Sequence, residues 1–230
     1  LGPGKRLRPI LVLLSAEACG GNRDVAMPAA LAVEMIHAYS LVHDDLPAMD
    51  DDDYRRGKLT NHKVFSEAIA ILAGDALLTL AFEVASHPAT STSGISEGAC
   101  LRVVCELAEG AGSIGMVGGQ AVDIEFEGKA IDAERLEYIH KHKTGKLFRA
   151  AVRVGALMGG ATAEQLDLLT KYSEDIGLAF QINDDILNVV GALEELGKSA
   201  VFGWNASVGR ICCSAGQYIN ARKRGEDGFL

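Results

Sequence analysis

Aspartates set into apolar, helix-patterned segments constrain this chain more than any other feature. Residues 176–190 form an apolar stretch of helical pattern in which Gln181, Asp184, Asp185 and Asn188 fall at i, i+3, i+4 and i+7. All four share one face, and two aspartates there are costly to bury without partners. That face must meet solvent or wall a space that holds cations. A second cluster, running from Asp44-Asp45 through Asp50-Asp51-Asp52-Asp53, puts six carboxylates within ten residues, followed by Arg55 and Arg56. Crowded carboxylates repel and have raised pKa values unless cations sit among them. A hard divalent ion suits them: magnesium binds through one or two carboxylates plus substrate phosphate, and guanidiniums grip phosphate bidentately. A lone charge run is most often a solvated loop. Two matched acidic sites with cations to hand point instead to a metal and a phosphate.

The pattern between these clusters is helical almost throughout. Helices are predicted from Val12 to Ala18 (on a pattern begun after Pro9), up to about Asp45, and over Val64 to Ala85, Ser96 to Ala111, Asp132 to Met158 and Ala163 to Val190. Asp24 is the expected cap of the second, with Pro28 in its first turn. Pro47 ends it within the aspartate cluster. Residues 88–94 read as a loop, and no alternating strands are expected. Long helices joined by short loops predict an all-α, single-domain helical bundle around a central space.

Composition narrows the function. A net charge of −9 argues against nucleic acid as partner. It would also repel a diphosphate, which favours a metal-mediated site. The five cysteines form no CxxC pair, as expected of reduced thiols in a cytoplasmic protein. No signal-peptide pattern is read. The longest apolar run, residues 69–82, is broken by Asp75 and expected to be too short for a bilayer, so no membrane is expected as partner. The chain starts at Leu1 without a methionine, and a preceding segment is expected.

Four motifs in order carry a resemblance: Gly4-Lys5-Arg6-Leu7-Arg8-Pro9, the aspartate cluster with its arginine pair, His140-Lys141-His142-Lys143-Thr144-Gly145-Lys146, and Phe180-Gln181-Ile182-Asn183-Asp184-Asp185. From about Gly4 to Ser199 the chain resembles the trans-isoprenyl diphosphate synthases. Within them it is most similar to the bacterial farnesyl diphosphate synthases, which share the two-residue insertion in the first aspartate motif. The resemblance implies the isoprenoid synthase fold and a head-to-tail prenyl transfer. An allylic diphosphate ionises, isopentenyl diphosphate attacks the cation, and a proton is lost.

It implies magnesium, with about three ions around one bound diphosphate, where Lewis acids stabilise the leaving group. Metal would be held by Asp44 and Asp50, with Asp45 assisting, and by Asp184 opposite. Lys5, Arg8, His37 and Arg56 match positions that grip isopentenyl diphosphate. Arg55, Lys143 and Lys198 match ligands of the allylic diphosphate. Thr144 and Gln181 would lie near the carbocation. The released diphosphate can accept the proton, so no side-chain base is required. Gln120 and Asp123 resemble another family motif behind the substrate. Tyr39, five positions before the first motif and about 7.5 Å down the helix axis, would act as a floor that stops growth at C15, with Ser40 adding no second block. The family also implies a homodimer.

Departures keep alternatives open. Asn188 stands where the family commonly has a third aspartate, and nothing from Val201 onward matches. The reading is therefore a synthase domain over 1–200, incomplete at both ends, and an atypical tail over 201–230, expected to be disordered or loosely packed. Farnesyl diphosphate is the expected product, with geranyl or geranylgeranyl diphosphate as alternatives. A non-catalytic isoprenoid-diphosphate-binding subunit remains a second function. A terpene cyclase fits less well, since it needs no second set of cations for a second diphosphate.

Overall fold

The computed structural model describes residues 4–86, 96–127, 129 and 131–195; of residues 133, 182 and 184–195 it describes the backbone alone. The expected tail and Lys198 lie outside the described residues. The architecture is the all-α bundle read from the pattern. Helix α1 (Leu7–Ala18) accommodates Pro9 in its first turn, where no backbone donor is lost. Helix α2 (Arg23–Asp44) is capped by Asn22, whose side chain accepts from the Asp24 amide at 2.8 Å. The cap thus comes two residues before the expected Asp24, which instead sets a carboxylate against the positive end of the helix dipole. Pro28 lies beyond the first turn, yet the helix continues through it because Ala26, Ala29, Ala30, Ala32 and Val33 are packed into the core.

Where no strand was expected, β1 (Tyr54–Arg55) pairs antiparallel with β2 (Lys58–Leu59). Its two-residue turn, Arg56-Gly57, has φ of 53° and 74°, the left-handed pair that tight hairpins require. Strands of two residues are too short to show alternation. The helix expected from Val64 is two, α3 (Asn61–Val64) and α4 (Glu67–Ser86), broken at Ser66 with φ 137°. Helix α5 (Glu97–Ala111) begins after Ser96, whose hydroxyl accepts from the Ala99 amide. Helix α6 (Met116–Glu125) was not foreseen, because its glycine-rich start hides the apolar period.

The segment expected as one α-helix from Asp132 is α7 (Ala133–Ile139), a π-helical turn (His140–Gly145) and α8 (Lys146–Met158). Helix α9 (Ala163–Glu195) closes the described chain. Helix α8 sits at the centre, packed by α1, α2, α5 and α9. Leu147, Phe148, Ala151, Val152, Val154 and Ala156 on it are fully buried. Its Arg153 is neutralised in place, donating to both oxygens of Glu106, at 2.8 and 2.6 Å, and to Thr170 at 2.7 Å. A buried charge held by several bonds avoids the penalty of an unpaired one.

Two helices, α2 and α4, are long and apolar enough to cross a membrane by length and composition, so the expectation that residues 69–82 are too short underestimated α4. The helix adds residues at both ends of that run. Helix α2 is a core element of the bundle. Helix α4 packs on α2 by one face and leaves Ile69, Leu72, Ala76 and Leu80 exposed on the other.

Candidate active site

The last turn of α2 delivers Asp44 to the interior, and the chain then folds back on itself. The Asp50 amide donates to the Asp44 carbonyl at 2.9 Å, which brings the two aspartates beside one another. Burial pushes the Asp44 carboxyl up to about 6; Lys143 opposes this and Asp50 adds to it. Asp50 is raised too, by burial first, with Lys143 again opposing and Asp52 and Asp123 adding. The pair is thus short of positive charge, the condition a divalent ion relieves. Among the described residues no three ligating side chains converge on one point. Two neighbouring carboxylates fit magnesium, which seldom uses an all-protein cage.

Asp45 is differently placed. Its side chain is 5% exposed and accepts from Arg55 Nε at 2.6 Å, while Asp52 lies 3.8 Å from the same guanidinium. Burial raises the Asp45 pKa and Arg55 offsets it. This carboxylate is engaged by Arg55.

The hairpin explains how adjacent arginines serve different places. Arg55, in the strand, is held by Asp45. Arg56, in the left-handed turn, packs its guanidinium against Gly4 in the N-terminal segment. There the basic residues gather around His37. The His37 pKa is lowered to about 3, by burial first and then by Arg8, Arg56, Arg55 and Arg6, so the imidazole is neutral. Arg6 is tied to Glu34, one turn before His37, an anchor the sequence reading missed. Arg8 lies 4.7 Å over the Phe148 ring and Lys5 lies 5.7 Å from the centre of Phe180.

The π-helical turn holds the opposite side. Lys143 Nζ donates to Asp123 at 2.7 Å, and Thr144 donates to the Gln181 side chain at 2.7 Å. A π-turn inserts an extra residue into a helix and is frequent at functional sites. Here it is gripped by backbone on both flanks. Gly119 of α6 packs against the Lys143 backbone, and Gly177 of α9 against Gly145, where a side chain at either glycine would crowd the turn. Next to Gly119, both polar atoms of the Gln120 amide are buried with no hydrogen-bond partner among the described residues. Asp184 lies on α9 one turn beyond Gln181; its side chain is outside the description.

Tyr39 is 6% exposed on α2, with its hydroxyl pKa raised by burial and by Asp44. Ser40 turns back on its own helix, donating to the His37 carbonyl at 3.0 Å. His62 is buried, and its Nδ1 meets the Thr60 hydroxyl at 3.2 Å.

The family model for polyprenyl synthetase matches residues 1–202. The chain is 54% identical over 195 residues to farnesyl diphosphate synthase of Geobacillus stearothermophilus, covering 85% of this chain and 65% of that one. It is 55% identical over 201 residues to a chloroplastic geranylgeranyl pyrophosphate synthase of Catharanthus roseus, covering 87% and 56%. The apo crystal structure of an FPP/GFPP synthase from Zymomonas mobilis superposes with a TM-score of 0.78 at 44% identity, over 83% of this chain and 68% of that one. The chain thus spans less than two thirds of the length of these two curated relatives. By sequence and fold alike, it belongs to the polyprenyl synthetase family.

Proposed function

We propose that this chain carries the catalytic core of a magnesium-dependent prenyltransferase. It would condense isopentenyl diphosphate head to tail with dimethylallyl or geranyl diphosphate and release farnesyl diphosphate. One observation supports this above the alternatives: the cations form two sets. Lys143 and Arg55 act on the Asp44–Asp50 pair, while Arg8, Arg56 and Arg6 act on the neutral His37, which the field of Arg55 also reaches. Two sets suit two diphosphates. A cyclase binds one.

Magnesium held by Asp44, Asp50 and the substrate's own oxygens would supply the Lewis acidity that neutralises the departing diphosphate. Lys143 and Arg55 would bind the same group, the first steadied by Asp123 and the second by Asp45. Asp184 is proposed as the facing metal ligand and Lys198 as a further diphosphate ligand. The Thr144 and Gln181 oxygens would face the developing cation with fixed dipoles, which cost no reorganisation as charge forms. Arg8, Arg56, Lys5 and His37 would hold isopentenyl diphosphate, and Tyr39 would end the channel at C15. Incorporation of labelled isopentenyl diphosphate is the test. Magnesium-dependent C15 product is expected, and none from a folded chain would favour the non-catalytic subunit.

His37 gives this reading a pH signature. Its folded pKa lies below the usual histidine value, so its contribution to stability is present above about pH 6.5 and lost as pH falls toward the depressed value. A diphosphate anion beside it favours the imidazolium and raises that pKa. Binding of isopentenyl diphosphate near pH 6 should therefore take up more protons in the native chain than in His37→Asn. Calorimetry in buffers of different ionisation enthalpy measures the difference; equal uptake would remove His37 from the site.

The exposed stripe Ile69, Leu72, Ala76 and Leu80 supports a second copy of the chain as partner, because Glu83 continues it and suits a protein rim better than lipid. Sedimentation should show a dimer, and Leu72→Lys should shift it toward monomer. A native monomer would contradict the assignment.

A further inference from the structure

The geometry points to His43 as a positioning residue that sets product length by wedging the Tyr39 ring in place, an inference that rests on the reading of Tyr39 as the channel floor. His43 immediately precedes Asp44, yet its ring is engaged with α4. Its Nε2 lies 3.0 Å from the Ile71 carbonyl, and since a carbonyl can only accept, Nε2 carries the proton. The ring fills the space that any Cβ at Gly74 would occupy. A glycine inside a helix costs that helix stability, and this packing is what the glycine permits. Asp75 Oδ1 stands 4.0 Å from the same nitrogen. On the other side Tyr39 meets His43 edge to face, with centroids 5.7 Å apart and planes at 77°.

The imidazole is therefore a spacer between the α4 backbone and the Tyr39 ring. Tyr39 has few staggered positions for its side chain, and the imidazole in contact with both its ring and the α4 backbone limits the choice among them. Without it the space over Gly74 opens, the phenol can swing toward α4, and the wall that stops the growing chain recedes. His43 then acts through Tyr39 and touches neither diphosphate.

A double-mutant cycle read by product length tests this. Wild type, His43→Ala, Tyr39→Ala and the double variant are supplied with geranyl diphosphate, isopentenyl diphosphate and magnesium, and the C20 to C15 ratio is measured. His43→Ala should raise the ratio about five- to tenfold, the scale of one lost edge-to-face contact. Tyr39→Ala should raise it further, and the double variant should match Tyr39→Ala, since coupled residues are non-additive. His43→Gln keeps an amide donor for the Ile71 carbonyl without the ring, and should also lengthen product if the alanine variant is insoluble. An unchanged ratio in both His43 variants, or additive shifts, would overturn the inference while leaving the floor intact. No product from wild type, or C15 alone from Tyr39→Ala, would remove the floor reading and this inference with it.

Discussion

Asp44→Asn should lower turnover about a thousandfold or more while leaving the metal-free fold as stable as before, or more so. The amide keeps the shape and an oxygen but removes the charge that a divalent ion needs. Several kcal/mol of leaving-group stabilisation pass through that ion, and each 1.4 kcal/mol is about tenfold in rate. The stability half follows from the sign of the pKa shift. A carboxyl raised to about 6 is penalised for being charged at neutral pH, and the amide escapes that penalty and the repulsion from Asp50. Asp45→Asn is the contrasting case. It weakens the clamp on Arg55, so the KM for the allylic diphosphate should rise about tenfold, as expected of a charge-assisted hydrogen bond. Its magnesium dependence should stay that of wild type. Magnesium titrations of both variants, with thermal melts in chelator, check the pair; equal loss of magnesium affinity would return Asp45 to the metal.

Phe148→Ala should destabilise the fold by about 3–5 kcal/mol, the usual cost of emptying a buried aromatic site. Phe148 is fully buried on the central helix α8, tilted against Phe180 with ring centroids 5.0 Å apart, and packed on Gly177 of α9. For a chain of this size the melting temperature should fall by about 10 °C. The consequence is also functional, because the same ring is the platform under Arg8. At a temperature where the variant is folded, KM for isopentenyl diphosphate should rise while the allylic KM stays. Phe148→Leu retains more volume and should lose less stability, but it too lacks the aromatic face. Equal changes in both KM values would detach Arg8 from the isopentenyl site.

Much of the fold could be read from apolar periodicity, and the chemistry from where charge interrupts it. The end of α2 was legible because Pro47 follows an apolar helix that finishes in carboxylates. The π-turn was not, since α- and π-helical turns are made from the same residue types and differ in one inserted position. Its consequence, Lys143 and Thr144 facing Asp123 and Gln181, had to come from geometry. Only the family resemblance separated Arg55 from Arg56; the residues alone make one basic pair, and a left-handed turn at Arg56 sends them to different partners. Periodicity cannot express that split. Nor can it say that Asp45, alike in sequence to Asp44, is engaged by an arginine.

In the proposed mechanism one set of cations works with metal and the other without it. Isothermal calorimetry of isopentenyl diphosphate and of a non-ionisable allylic thiolodiphosphate, each with magnesium and with chelator, distinguishes the two sets. Isopentenyl diphosphate should bind with or without the metal, and the allylic analogue with magnesium only, the two occupying separate sites. If the two ligands compete for a single site, or if chelator abolishes binding of both, the two-set account is wrong.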